Sequence, residues 1–236
     1  MNELDGLTVV IPCKSENEEI VTKTYSELQS LGATTIVVDD GGTMNLPDYV
    51  NTISYRPSMG YGYAIKKGID ATVTQYTCTM DGDSQHLISD VKNLYTIIKL
   101  EPELKMIVGQ RWGLNEKWYR KLARKALNFV ASIISEHYLP DLNSGLRIFD
   151  TQLAKDYKSI LCDTFSFTTS LTMSFLCDGY KIVFFPIHVQ PRKYGKSHIS
   201  FLKDGLVTLY YIIWVGGALR TRNLRRILRK LLGRAT

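Results

Sequence analysis

Short β-branched apolar runs recur through the first half of the chain, and most end in a polar residue or a glycine. Leu7–Pro12, Thr35–Asp40, Thr52–Arg56, Tyr76–Met80 and Lys105–Gly109 each have the length and composition of a buried strand. Helical patterns separate them. Glu16–Leu31 is stopped by Gly32, Gly60–Thr72 opens with glycines, and Leu87–Leu100 completes the set. Strands alternating with helices of this length predict an α/β domain built on a parallel sheet covered on both faces. Ligands in such sheets sit at the carboxyl ends of the strands. Pro12, Asp40, Asp81 and Gln110-Arg111 all fall at those ends, so chain-distant polar residues are expected to meet at one rim.

The pattern changes further along. Glu116–His137 reads as a long basic amphipathic helix, Asn143–Arg147 as a turn, Ser166–Asp178 as a helix and Lys181–Ile187 as a strand. No repeat or long linker interrupts the chain. The expected organisation is one catalytic domain over residues 1–200 and a helical appendage over residues 201–236.

Asp81-Gly-Asp83 follows an apolar strand. Two carboxylates one residue apart at a strand end can hold a hard divalent cation, which can bridge the phosphates of a nucleotide; a solvated Asp-Gly turn would use the same residues. Gln85 and His86 are near enough in sequence to complete or orient such a site. Asp39-Asp40 ends another strand, where a carboxylate can accept from a base or ribose or simply start the Gly41-Gly42 turn. Gly60-Tyr-Gly62 suits either an anion at a helix N-terminus or a tight turn. Candidate phosphate-binding cations are Arg111 at a strand end, Arg120 and Arg124 on one helix face, Arg147, and Arg192 with Lys196 around Tyr194-Gly195.

These segments, in this order, resemble glycosyltransferase family 2, in its dolichyl-phosphate mannose synthase-like branch. The matching stretches are Val10–Glu16, Ile36–Thr43, Gly60–Ala64, Met80–His86, Gly109–Arg111, Asn143–Arg147 and Arg192–Ser197, covering about residues 7 to 200. The resemblance implies a GT-A fold, a Rossmann-like and mostly parallel sheet flanked by helices. It also implies an inverting, metal-dependent hexosyltransferase acting on a nucleotide-sugar of the GDP-mannose or UDP-glucose type. By that likeness Pro12, Lys14, Glu16, Val38, Asp40 and Gly82 bind the donor. Asp81, Asp83 and Gln85 hold Mg²⁺ or Mn²⁺ with the diphosphate, Arg192 and Lys196 close over it, and Asp83, Arg192 and Lys196 carry the catalysis. Arg111, Arg120 and Arg124 receive the acceptor phosphate, dolichyl or undecaprenyl. The sequence departs from the pattern at Lys14, Ser15, Gly42, His198 and Arg124; the last makes the acceptor pocket more basic.

A hydroxyl acceptor needs a base, whereas a phosphate monoester is already an anion. Thr164–Leu171, where related enzymes place an acid, contains none, and Asp163 is the nearest. A phosphate acceptor is therefore favoured over a glycan or lipid hydroxyl. A non-catalytic nucleotide-sugar-binding subunit is the reading from another class, and retention of Asp81 and Asp83 argues against it.

The net charge of +6 is concentrated at the C-terminus, where Arg220–Arg234 holds seven basic residues and no acid. The rest of the chain is close to neutral, so the tail, rather than the body, seeks an anion. Gly205–Leu219 is uncharged and, as a helix, roughly 22 Å long, short of the ~30 Å hydrocarbon core. Beyond it, Leu224, Ile227, Leu228, Leu231 and Leu232 recur at helical spacing with arginines and a lysine on the other faces. Residues 205–236 are thus expected to lie on an anionic membrane surface, at its cytoplasmic face as a peripheral protein, since no signal peptide precedes Leu7. A helix packed on the protein's own core, or on a membrane partner subunit, is the competing reading, and nucleic acid lacks its aromatic-basic platform. Cys13, Cys78, Cys162 and Cys177 show no metal or disulfide spacing and are expected as small buried residues.

Overall fold

The computed structural model describes residues 2–113, 117–190 and 201–232, with side chains of the last stretch described over 203–222. A seven-stranded sheet runs in the order β3-β2-β1-β4-β6-β5-β7. Its strands are β1 (Leu7–Cys13), β2 (Thr34–Asp40), β3 (Thr52–Tyr55), β4 (Tyr76–Thr79), β5 (Leu104–Trp112), β6 (Arg147–Asp150) and β7 (Lys181–His188). The helices are α1 (Glu18–Ser30), α2 (Tyr61–Ala71), α3 (Ile88–Leu100), α4 (Trp118–Ser135), α5 (Thr151–Tyr157), α6 (Phe167–Cys177) and α7 (Phe201–Leu232).

Six strands are mutually parallel, as the alternation predicts. The exception is β6, which pairs antiparallel with both β4 and β5. Sequence reading assigns only a turn to Asn143–Arg147 and nothing to α5. The reason is physical: β6 is four residues long with a charge at each end, too short for periodicity to register. Asp150, its last residue, caps α5 by accepting from Leu153 N at 3.1 Å.

Strand alternation sorts the core into two layers. Val9, Ile11 and Cys13 of β1 face α1 and α3, packing with Val21, Leu28, Leu94 and Ile98. Val10, on the other side of β1, joins Val38 and Ala64 under α2, and α6 and α7 extend that layer. Every residue of α6 is buried, including five hydroxyls. Several return their protons to the helix's own backbone, as Thr172 does to Thr168 O and Ser174 to Ser170 O, so burial leaves few donors idle.

The tail differs from expectation in form. The predicted uncharged segment and amphipathic segment are one continuous 32-residue helix. Gly216 does not break it, because a side chain there would meet Ile134 Cγ2 at 2.3 Å; the glycine is where α7 lies tightly against α4. No helix among the described residues is long and apolar enough to cross a membrane. The four cysteines are free and buried.

Candidate active site

Parallel pairing of β2, β1 and β4 brings their carboxyl ends together. Pro12 lies opposite Val38 and Cys13 opposite Asp39, while Met80 N donates to Val10 O at 3.1 Å. Side chains and turns beyond these ends form an acidic cluster. Its common neighbour is the Cys13 thiol, pushed well up by burial and by the charges of Glu16, Asp39, Asp81 and Asp83. Glu16 is raised as well, first by desolvation and then by Asp83 and Asp81. Acids from three separate stretches of sequence thus share one neighbourhood. Carboxylates within electrostatic reach of one another attract a cation.

Asp81 is the most firmly held of them. Tyr61 Oη donates to its Oδ1 at 2.8 Å, and His86 Nε2 lies 3.4 Å from Oδ2. Desolvation would raise this carboxyl, but His86, Tyr61 and the charge of Arg111 together bring it below its usual value. Gly145 closes its back: a Cβ at that position would sit 2.2 Å from Asp81 Oδ2, so only glycine admits the carboxylate. Asp83 accepts from Gln85 N at 3.1 Å through Oδ1, which shapes the turn. Ser84 between them adopts φ 60°, as does Ser15 in the opposing loop at φ 62°, a conformation that non-glycine residues hold only when surroundings demand it. Gly82 packs against Cys13 and Glu16. The Gln85 side chain reaches across to Gln190 O at 3.2 Å, joining this turn to the chain after β7.

The β1 and β2 loops border an open surface depression of about 450 Å³, lined by Ser15, Glu16, Asn17, Thr43 and Met44 among others. Lys14 is exposed beside it, and its backbone N–H donates to Glu16. Pro12 and Val38 are buried strand residues, so a ligand would meet position 38 through its backbone rather than its side chain. Asp40 is committed elsewhere. Its carboxylate accepts from Met59 N at 2.6 Å, Ser58 Oγ at 2.8 Å and Gly60 N at 3.0 Å, and these bonds outweigh desolvation to hold it low. It thereby fixes the turn into α2. Gly60 and Gly62 serve packing, since side chains there would collide with Asp163 O and Cys162 O. Asp39 anchors the β2 turn by accepting from Met44 N at 3.1 Å and Ser54 Oγ at 3.3 Å.

The cations take three distinct places. Arg111, at the end of β5, makes a bidentate pair with Asp141, both bonds 2.8 Å, and its backbone N–H adds a third at 3.2 Å. Asp141 is 1 % exposed, and Arg111 holds its carboxyl below the usual range against the desolvation that would raise it. Arg124 lies close enough to lower Asp141 further, whereas Arg120 is exposed on α4. Arg147 is fully buried beneath the site. It donates to Ser144 O, Leu142 O, Thr168 O and Thr172 Oγ1, and burial brings its guanidinium down to about 10. It is a framework cation and does not reach the rim as a ligand would. Arg192 and Lys196 lie outside the described residues. Asp163 forms an ion pair with Lys66.

Sequence reasoning passed over Tyr61, Asp141 and Gly145 as site residues. Asp141 stands two residues before the Asn143–Arg147 motif, and that proximity was the available signal. Nothing local announces Tyr61, whose partner is 20 positions away.

Among the described residues no three His, Cys, Asp or Glu side chains form a ready-made metal cage. Asp83 and Asp81 fit a different kind of site. Mg²⁺ commonly takes one or two carboxylates and completes its shell with water and substrate phosphate. An acidic rim of this composition suits that arrangement.

The same architecture recurs in solved proteins. Glucosyl-3-phosphoglycerate synthase of Mycobacterium tuberculosis, crystallised with Mn²⁺, uridine-diphosphate and glucosyl-3-phosphoglycerate, superposes with a TM-score of 0.69. The alignment covers 89% of this chain and 80% of that one at 16% identity, a likeness of fold. Another crystal structure of that enzyme, with Mn²⁺, uridine-diphosphate and phosphoglyceric acid, gives a TM-score of 0.70 over 89% and 78% of the two chains at 16% identity. In sequence, an uncharacterized protein of Methanocaldococcus jannaschii is 25% identical over 90% of this chain and 94% of its own length. An uncharacterized glycosyltransferase of Mycobacterium tuberculosis is 23% identical over 89% and 97%. The model for glycosyl transferase family 2 matches residues 8–168, well over half of the chain, and with the α/β sheet and acidic rim that match places this protein in glycosyl transferase family 2.

Proposed function

We propose that this chain is an inverting hexosyltransferase that moves a sugar from a nucleotide-sugar to a polyprenyl phosphate, working as a peripheral protein at the cytoplasmic face of a membrane. One observation carries the donor half: Glu16, Asp81 and Asp83 gather around Cys13 at the ends of parallel strands, beside an open depression between the β1 and β2 loops. The nucleoside fits that depression, against Ser15, Glu16 and Thr43, with the diphosphate over Asp81 and Asp83. Asp81, Asp83 and Gln85 would hold Mg²⁺ or Mn²⁺, which when bound neutralises the diphosphate as it leaves. The chain's own residues then have two tasks. Tyr61 and His86 keep Asp81 ionised and oriented, and the Ser84 turn fixes Asp83 beside it. The acceptor half rests on Arg111 and Arg124 beside Asp141, with Arg120 further out on α4. A phosphate bound there attacks the anomeric carbon in line, oxygen forming the new bond as the nucleoside diphosphate departs, with no proton to remove. Arg192 and Lys196 are assigned to the leaving diphosphate. Membrane association is assigned to residues 205–236, where exposed Leu206, Tyr210, Ile213 and Trp214 precede the arginine-rich stretch.

A second reading has its own support. Glucosyl-3-phosphoglycerate synthase, which shares this fold, was crystallised with a phosphorylated small acid, phosphoglyceric acid. The arginine pair would suit such an acceptor too. One experiment separates the two: the purified chain is given GDP- and UDP-sugars with Mn²⁺, and either undecaprenyl phosphate in detergent or phosphoglyceric acid. The proposal expects an acid-labile, base-stable lipid-linked sugar. Product with phosphoglyceric acid alone selects the second reading, and no turnover with either acceptor refutes both.

A further inference from the structure

Helix α4 is apolar on two faces. One packs on the domain through Leu127, Val130, Ala131 and Ile134. The other points to solvent: Trp118, Leu122, Phe129 and Ile133 are between 60 and 77% exposed. Their spacing of four, seven and four residues puts them on one helical face. A helix that met only this domain and water would carry polar residues on that second face. A neighbouring helix carries a second stripe. Leu206, Tyr210, Ile213 and Trp214 of α7 are exposed at helical spacing, and the two helices pack along the seam where Ile134 meets Gly216.

Charge identifies the occupant. Residues 117–135 contain five basic side chains and no acid, and Lys117, Arg120, Lys121 and Lys125 are exposed around the start of the stripe. Trp118, Tyr119, Tyr210 and Trp214 supply the amphipathic rings that settle at lipid headgroup level. A second copy of this chain would bring two such cationic stretches together, which opposes self-association through this face. An anionic bilayer satisfies both the apolar stripe and its charged margin.

Building on the membrane reading above, we propose that α4 is itself a lipid-seating element, forming with the first half of α7 one face that rests on an anionic bilayer independently of the arginine-rich C-terminal residues. The seating has a geometric use. Arg124 belongs to α4 and acts on Asp141, the partner of Arg111, so a helix laid on headgroups carries the acceptor-side cations to the level where a lipid phosphate emerges.

The test is flotation of the full-length chain on phosphatidylcholine vesicles with and without phosphatidylglycerol, none containing polyprenyl phosphate. The variants are Leu122→Gln with Phe129→Gln, and separately Lys121→Gln with Lys125→Gln. Removing two inserted apolar side chains should lower partitioning about tenfold or more. The thermal midpoint and the shift induced by nucleoside diphosphate with Mn²⁺ should be preserved. The lysine pair should weaken binding to the anionic vesicles alone. Unchanged partitioning of the apolar pair overturns the proposal, as does failure of the wild-type chain to float. So does a lipid-free dimer that the apolar pair dissolves, which would make the face a contact between copies. Because these vesicles lack acceptor, the two readings fail separately: flotation through α4 here, with no lipid-linked product when undecaprenyl phosphate is supplied in the turnover assay, would refute the polyprenyl phosphate reading and leave this one standing.

Discussion

Replacing Gly145 by alanine should disable the site while leaving the fold in place. The added Cβ would stand 2.2 Å from Asp81 Oδ2 and 2.6 Å from Cγ, against an ordinary contact of 3.4 Å or more. The carboxylate must therefore retreat by roughly 1.2 Å. It has little freedom to do so, because Tyr61 Oη holds Oδ1 at 2.8 Å and His86 Nε2 lies 3.4 Å from Oδ2. A displacement of that size should break at least one of these two contacts. Losing a hydrogen bond to a charged group costs about 1.5–3 kcal/mol, and for a domain of this size that lowers the thermal midpoint by roughly 3–12 °C. The effect on turnover should be larger in proportion. A catalytic group misplaced by about 1 Å commonly loses on the order of a hundredfold in rate. Backbone conformation adds nothing, since Gly145 is not among the positive-φ glycines. The assay is Mn²⁺-dependent release of nucleoside diphosphate from a sugar donor, measured with the melting curve on the same preparation. A variant within threefold of wild type in turnover, with its midpoint unmoved, would refute the assignment of Asp81 and its surroundings to the active site.

Asp83→Asn should leave the melting midpoint within a degree or two while abolishing Mn²⁺-dependent turnover and weakening Mn²⁺ binding followed by electron paramagnetic resonance in the presence of nucleoside diphosphate. Arg111→Met should destabilise the domain by about 3–5 kcal/mol at neutral pH, because it leaves Asp141 buried without its partner. The Asp141 carboxyl is depressed in the folded state, so the pair's contribution is complete above the unfolded value of about 3.9 and fades as pH falls through the lower folded value. Urea titrations should accordingly show the gap between wild type and variant closing in acid; a gap that is constant down to pH 3 would contradict the pairing. Gly217→Ala, at a helical position with no atom within 4 Å of the added carbon, should stabilise by about 0.5–1 kcal/mol, read as a rise in the urea midpoint.

The parallel strands and the acidic rim at their ends were legible in the sequence, and the region around β6 was not, for a physical reason. Val9, Ile11, Val37 and Cys78 sit in buried parallel strands, and β-branched runs closed by turns announce such strands directly. Asp81 and Asp83 could be found because a strand end and an acidic turn are adjacent in sequence. Arg147 shows the converse. An arginine after Ser144-Gly145 reads as a surface cation, yet its side chain is fully buried and satisfied by carbonyls from residues 142–144 and the 168 position of α6. That outcome depends on where β6 is threaded, and four residues hold no record of it. Asp40 is a similar case, since the partners that occupy its oxygens lie 18 to 20 residues downstream. The exposed stripe of α4 is invisible for another reason: amphipathic spacing fixes which residues share a face and leaves open which face the protein keeps.

The antiparallel strand β6 bears on how the molecule is made. It separates β4 from β5, yet it emerges from the ribosome after both of them. A nascent chain that ends before residue 147 has every donor-side acid already synthesised and a gap through the middle of its sheet. The polypeptide that closes this gap also delivers Gly145 behind Asp81, so pocket and sheet are completed by one late event. Long-range closure of this kind is slow relative to local helix formation. Translation intermediates should therefore bind nucleotide only once the sixth strand has cleared the exit tunnel, and chaperone dependence should concentrate in that interval.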